Sequence, residues 1–406
     1  RFAGYHALGS VGSTGQMIFF CSGLLIGLGG GVNVLAAICI GQKNQKDLEL
    51  TVKASFITCF LAGILIFTFA LIFSRSILSL LHTRPELIDD AIIYFRIYMF
   101  SMPAVSLYCF GNAILSAHGD TKSPLYYLIF AGIVNIFLDL ILVIVFELSV
   151  IGVGIATVVS QYISCILTLR KTYHLLSSYE FNLMSLNFSR QKILQVLKIG
   201  IPSGMQNAIF ALANLFIISA VNSFDAAMVA GNAATMNGDN LVYNIMAAFY
   251  AAGATFIGQN LGAQKKKRIL NSYLISLFYS ALAGFILGFL LYFFGREFLS
   301  LFSKDKIVID YAMQKFKIMT FSFGISAFMD CTIAANRGLR KTFIPSLIVF
   351  LGSCIFRILW VLTVFAHYKT VESLFLLYPF SWAITAVFEI LYFIRSYLAE
   401  TRNLPE

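Results

Sequence analysis

Apolar runs of membrane-spanning length recur from one end of this chain to the other, and that recurrence limits the possible folds more than any motif does. A helix rises about 1.5 Å per residue, so about 20 apolar residues cross a hydrocarbon core of about 30 Å. Eleven such runs lie near residues 10–40, 52–73, 91–117, 124–146, 150–170, 194–221, 229–261, 270–294, 308–335, 343–366 and 373–397. Hydrocarbon offers no partner to backbone N–H and C=O groups, so a spanning segment must be a helix or part of a closed barrel. Runs of this length select helices. The sequence predicts an all-α, polytopic membrane protein. Composition agrees: 59% of residues are hydrophobic and 12% charged, where soluble domains carry about 25% charged. The net charge of +10 does not indicate nucleic acid, because the basic residues gather in short connections. Seven cysteines fall within the runs without CxxC or metal-like spacing and read as packing residues.

The basic residues also orient the chain. One set of connections holds Lys43, Lys46, Lys53, Lys122, Arg170, Lys171, Arg190, Lys192, Lys198, Lys265, Lys266, Lys267, Arg268, Arg337, Arg340, Lys341, Arg395 and Arg402. The opposite set holds Arg75, Arg84, Arg96, Arg296, Lys304, Lys306, Lys315, Lys317 and Lys369. The first set is the larger, which places it and the C-terminus in the cytoplasm of a multi-pass protein of the cell (inner) membrane. The longest polar connection, Lys171 to Gln195, reads as a linker between two halves, 1–190 and 191–406.

These halves repeat each other. One run ends in Gly41-Gln42-Lys43-Asn44-Gln45-Lys46 and another in Gly262-Ala263-Gln264-Lys265-Lys266-Lys267, an offset of 221 (262 − 41). Ala117-His118-Gly119-Asp120-Thr121-Lys122 matches Asn336-Arg337-Gly338-Leu339-Arg340-Lys341 at an offset of 219 (338 − 119). Both units return to the same side, so the repeat is parallel, about an axis along the membrane normal, as in many secondary transporters. The run at 194–221 has no counterpart within the chain. The expectation is that about 30–50 residues with one further spanning helix precede Arg1.

Several polar residues lie inside the runs. Asn135 and Asp139 are four apart and share a helix face. A carboxylate at mid-bilayer costs about 2.5–3.5 kcal/mol on insertion scales, so it marks an ion, proton or substrate site before it marks a packing contact. Low dielectric disfavours the charged form of Asp139, and Asn135 can donate to either form. Asp239 and Asp330 lie in apolar runs without a Lys or Arg in the same turn, which points to a cavity or a bound cation. Glu389 reads as close enough to a helix end to reach the interface, and Arg357 as the structural partner of a carboxylate. Tyr243, Met246, Phe249 and Tyr250 form a stripe that could face a cationic ligand, although such a stripe is more often core or lipid-facing. Gly27, Gly29, Gly30 and Gly31 read as a place of close helix packing or flexibility rather than a phosphate loop.

The chain resembles the multidrug and toxic compound extrusion (MATE) family over nearly its whole length, on the bacterial side. The resemblance rests on the order and spacing of IGQNLGAQKKKR (257–268), AHGDTKSP (117–124), NIFLDL (135–140), GVGIAT (152–157), KIGIPSGMQNA (198–208) and MDCTIAANRGLRKT (329–342). It implies twelve helices in two pseudo-symmetric six-helix lobes, eleven of them present here and the first missing. It implies export of organic, often cationic, compounds in exchange for H⁺ or Na⁺ by alternating access. It further implies an N-lobe coupling site, to which this chain contributes Asn112, Asn135, Asp139 and Thr157, completed by an Asp on the missing helix. In the C-lobe, Asp330 matches a cation-binding Asp of the tenth family helix. The seventh-helix Glu of those members is absent, and the turn reads Gln206-Asn207-Ala208; Asp239 could supply the second carboxylate. Gln206, Asn207, Tyr243 and Met246 are the expected cleft residues.

Two other functions were weighed. A flippase for lipid-linked sugars would want a basic cleft, while the runs offer mainly Asp and only Arg357 as a cation. An intramembrane enzyme would want paired Asp-rich or His/Glu motifs, and only Asp89-Asp90 pairs. The expectation is therefore not an enzyme. It is a transporter without a cofactor, acting as a monomer in the lipid bilayer on a small-molecule substrate.

Overall fold

A computed structural model describes residues 4–80, 86–179, 189–402 and 404. Arg1, Arg84 and residues 180–188 of the expected linker lie outside the described residues. Eleven helical segments are long and apolar enough to cross a membrane, and they match the eleven apolar runs. The described residues contain helices and turns and no strand. The protein is a multi-pass membrane protein.

The chain divides into two compact units, Arg1–Ala208 and Ile209–Glu406. The first holds α1 (Gly4–Gly41), α2 (Gln45–Leu80), α3 (Ile88–Met99), α4 (Met102–Ala117), α5 (Lys122–Leu140), a π-helical turn (Ile141–Val145), α6 (Ser149–Ser177) and the start of α7 (Arg190–Val221). The second holds the rest of α7, then α8 (Ala226–Gly262), α9 (Lys266–Phe293), the short α10 (Gly295–Ser300) and α11 (Lys306–Gly338). It ends with α12 (Phe343–Val349), two π-helical turns (Phe350–Ile355, Val361–Phe365) around α13 (Phe356–Trp360), then α14 (Ala366–Tyr368), α15 (Val371–Phe375) and α16 (Leu377–Thr401). The linker is shorter than the sequence suggests, because α6 continues to Ser177 and α7 starts at Arg190. Pro103 opens α4, where it has no N–H to extend α3, so α3 and α4 form one broken span.

The repeat is written into the helix ends. Lys43 (φ 54°) and Gln264 (φ 57°) are both left-handed, 221 residues apart (264 − 43). Asn44 N donates to Cys39 O at 3.2 Å, and Lys265 N to Asn260 O at 2.9 Å, the same six-to-one closure of a helix end. Gly119 (φ 89°) and Arg340 (φ 62°) repeat the device, again 221 apart (340 − 119). There Asp120 N donates to Leu115 O and Lys341 N to Asn336 O, each at 2.9 Å. The offset of 219 from matching Gly119 to Gly338 is corrected: Gly338 is the last helical residue, and Arg340 takes the left-handed place. After the first of these turns, Ser123 N and Oγ donate to the Asp120 carboxylate at 3.0 and 2.7 Å and cap α5. Burial pushes the Asp120 carboxyl up, but the Ser123 hydrogen bonds and Lys171 outweigh it and hold it below the usual range.

The glycines of α1 do serve close packing. A Cβ on Gly27 would stand 2.2 Å from Gly204 N, and one on Gly31 would stand 2.8 Å from Gly200 N. Both helices thus present glycines four apart, and they run antiparallel with backbones nearly touching. We expect Gly27→Ala to destabilise the protein by about 1–3 kcal/mol through overpacking. Gly15→Ala, with nothing within 4 Å of its added Cβ, should be neutral or slightly stabilising. Thermal unfolding in detergent compares the two, and equal midpoints would show that the seam is not close-packed.

Candidate functional site

In the first unit, α5 carries Asn135 and Asp139 on one face, just ahead of the π-helical turn that widens the helix at Ile141. Two glycines of GVGIAT bring α6 in. A Cβ on Gly152 would stand 3.0 Å from Leu142 Cβ, beside Asp139, and one on Gly154 would stand 2.8 Å from Ile97 on α3. Gly154 also faces Tyr94, which is buried and within electrostatic reach of Asp139. Asn135 Nδ2 and Asp139 Oδ1 are buried and have no hydrogen-bond partner among the described residues. This acid and amide are half-buried in an otherwise apolar span.

Thr157 and Asn112 have local partners. Thr157 Oγ1 donates to Val153 O at 2.9 Å, one turn back on α6. Asn112 Oδ1 accepts from Ser116 Oγ at 3.4 Å. Asn112 stands five residues from the end of α4 and Asp139 seventeen from the start of α5 (117 − 112, 139 − 122). That difference is about 18 Å in height at 1.5 Å per residue. The break between α3 and α4 lies on the far side of Asn112 and does not shorten it. No described hydrogen bond joins Asn112 or Thr157 to the Asn135–Asp139 pair. Gln206 is buried, and Asn207 Nδ2 donates to Gly23 O at 3.0 Å, which ties Asn207 to α1 in the first unit.

The second unit buries more charge than its sequence reveals. Asp330 on α11 is buried, and its Oδ2 has no hydrogen-bond partner among the described residues. Arg337, two turns further along α11, and Arg357 on α13 are both within electrostatic reach of it. Arg357 Nε donates to Ser381 Oγ at 3.1 Å, and its guanidinium lies 4.8 Å from the Tyr378 ring centroid and 5.9 Å from those of Phe210 and Trp382. Arg357 is thus boxed by aromatic rings rather than hydrogen-bonded to a carboxylate. Tyr250 Oη donates to Tyr243 Oη at 2.9 Å, and Asp330 and Arg337 act electrostatically on both rings. Tyr243 is exposed, whereas Met246 is fully buried in a core with Val242, Phe316 and Phe323 and lines no open surface.

Several residues correct the sequence reading. Lys53 and Arg96 lie inside α2 and α3 rather than in connections; Lys53 pairs with Glu49 at 2.7 Å, and Arg96 Nε donates to Ser74 Oγ at 2.8 Å. Lys315 is not in a loop: it is buried in α11, and Nζ lies 2.8 Å from Asp239 Oδ2 and 3.0 Å from Asn232 Oδ1. It also sits 5.1 Å from the Phe375 ring centroid. Asn232 and Asp239 are seven apart on α8 and so present one face to it. Arg337 belongs to the last turn of α11 rather than to a connection. Glu389 does not reach the interface: it is 0% exposed and its Oε2 accepts from Asn336 Nδ2 at 2.9 Å. A seven-residue spacing of opposite charges, Asp330 to Arg337, is the one sequence pattern that could have exposed part of this cluster.

The MatE family model matches residues 1–141 and 202–363 of this chain. The chain belongs to the MATE family of transporters. Among curated relatives it is 26% identical to the probable multidrug resistance protein YoeA of Bacillus subtilis over 83% of this chain and 75% of that protein. It is also 26% identical to the FAD transporter of Shewanella oneidensis, over 79% and 72%. Among solved structures it superposes on a MATE transporter in an outward-facing conformation with a TM-score of 0.91 at 18% identity, covering 98% of this chain and 89% of that one. A MATE in complex with MaD3S gives 0.90, over 99% and 90%. These relatives are transporters rather than enzymes. Against this MATE fold, Lys315→Met should cost about 3–5 kcal/mol, because it strands the Asp239 carboxylate. Lys315→Met with Asp239→Asn should recover most of that loss. Chemical or thermal unfolding of both variants reads this, and a double variant no more stable than the single would deny the pair.

Proposed function

We propose that this MATE protein exports small organic, cationic or amphipathic compounds by alternating access, in exchange for H⁺ or Na⁺. It does so as a monomer in the cell (inner) membrane with its C-terminus in the cytoplasm. The halves 1–190 and 191–406 act as its lobes. The observation that carries the reading is Asp139 beside Asn135. A carboxylate oxygen and an amide nitrogen, both buried and both without a partner among the described residues, stand one turn apart in a span otherwise made of hydrocarbon. A group so placed is costly unless a proton or cation joins it. Asn112 and Thr157 line the route to this pair, and Asp330 and Asp239, with Tyr243, receive the cargo in the other lobe. Met246 has no part in this, being core.

A second cargo class, anionic rather than cationic, is favoured by one arrangement. Asp330 is within electrostatic reach of two guanidinium groups, Arg337 and Arg357, so the charge around it is not net negative. The relative in Shewanella oneidensis, named for FAD, carries an anionic aromatic cargo in its name.

In everted vesicles, Asp139→Asn should reach normal or higher expression and lose most gradient-driven dye export, at least tenfold. Normal export by this variant would sink the coupling role. Asp330→Ala should weaken cargo binding at least tenfold, for a cationic dye on the first reading and for a flavin on the second. Unchanged affinity for both would reduce Asp330 to a packing residue.

A further inference from the structure

The cluster at Glu389 is used by neither coupling nor cargo in the account above. Glu389 on α16 and Asn336 on α11 are both 0% exposed. Asn336 Nδ2 donates to Glu389 Oε2 at 2.9 Å, and its long contact to Glu389 O is 3.5 Å. Two atoms of this pair have no partner among the described residues: Glu389 Oε1 and Asn336 Oδ1. Both are acceptors when the acid is ionised, so neither can satisfy the other. One proton on Oε1 changes this, because the new O–H can donate to Oδ1. The acid and the amide then close a cyclic pair with two hydrogen bonds, and every polar atom of the cluster is satisfied.

Among the described residues, no counter-charge is paired with the carboxylate. On the elements packed against α16, the charged or titratable side chains are Lys306, Asp310, Tyr311, Lys315, Lys317, Asp330, Cys331 and Arg337 on α11, Cys354 and Arg357 across the first π-helical turn and α13, and Glu372 on α15; of the α11 group, Lys306, Asp310 and Lys317 are exposed. Tyr273 on α9 reaches α16 through a ring contact of 4.5 Å with Phe393. Lys315 is held by Asp239, Arg357 by Ser381 and its aromatic box, and the Tyr273 hydroxyl by Thr332 at 2.8 Å. Among the described residues, Asn336 alone bonds the Glu389 side chain, and none of these groups acts on it electrostatically. An ionised carboxylate fully out of water without a counter-charge is among the most costly arrangements a protein can hold.

We propose that Glu389 and Asn336 form a second proton-binding site, in the second unit, distinct from Asp139 and from Asp330. The proton comes from water, forms an O–H bond at Glu389 Oε1 and returns to water when the pair opens. That this proton is exchanged during transport rests on the coupled-exporter reading.

Infrared spectroscopy of the purified protein in lipid tests the site without relying on transport. The expected spectrum contains a protonated-carboxyl carbonyl band that persists from acid to mildly alkaline pH and shifts on deuterium exchange. Glu389→Gln should remove it and should fold, since a glutamine amide reproduces both hydrogen bonds. Asp139→Asn and Asp330→Asn should keep it. Asn336→Leu should shift its frequency without removing it, which tests the pair even if the glutamine variant fails to fold. A spectrum unchanged in Glu389→Gln, a band unmoved in Asn336→Leu, or loss of the band on adding Na⁺ at fixed pH would overturn the assignment. Failure of the exporter reading looks different: no ion gradient would drive flux in the unaltered protein, whatever the infrared band shows.

Discussion

Hydrocarbon does not solvate charge, and the interior of this protein is arranged around that fact. Every ionised side chain carried into a span must meet an opposite charge, a ring face or a set of hydrogen bonds, or give up its charge. The second unit shows several of these solutions side by side. Lys315 meets Asp239 at 2.8 Å, Arg357 sits among Tyr378, Phe210 and Trp382, and Glu389 meets the amide of Asn336. The first unit's Asp139 stands out because its buried Oδ1 has no hydrogen-bond partner among the described residues. A site that must gain and lose a cation cannot be permanently neutralised by a fixed partner. On the proposed roles, Asp139 stays free to take and release a cation, whereas Asp239 meets cargo only as half of its pair with Lys315.

The same constraint shapes the backbone. Helix ends leave carbonyls without partners, and the chain closes four of them with one device repeated at an offset of 221. Three of its left-handed positions are filled by Lys43, Gln264 and Arg340 rather than glycine. A long polar side chain there accepts some backbone strain and gains a place at the polar boundary. Where helices must approach closely, glycine is used instead: Gly27 and Gly31 face Gly204 and Gly200 with no room for a Cβ.

The span count and the Asn135–Asp139 face were legible in the sequence, because length and a four-residue spacing carry them directly. The repeat was legible as a pattern of letters, but its register was not. A glycine match drew the second motif to Gly338, whereas backbone geometry assigns the position to Arg340. Lys315 and Arg337 were hidden by the rule that orients the chain. Basic residues near the ends of apolar runs read as loop residues, and only the full length of α11, Lys306–Gly338, shows them inside a helix. Glu389 was misplaced for a related reason: α16 runs on to Thr401, twelve residues beyond it (401 − 389), and its side chain faces α11 instead of the interface. Asn336 figured only in the repeat and the family motif, and nothing marked it as a carboxylate's partner until Glu389, 53 residues away, was in place.

The central claim is that unpaired intramembrane carboxylates couple cargo movement to a cation gradient. The most direct test is flux in proteoliposomes holding the purified protein, with a pH gradient and a Na⁺ gradient imposed one at a time. The account predicts that cargo accumulates against its own gradient when one of the two is imposed, and stops when that gradient is collapsed by an ionophore. Equal flux with both gradients collapsed, or accumulation under neither, would contradict it.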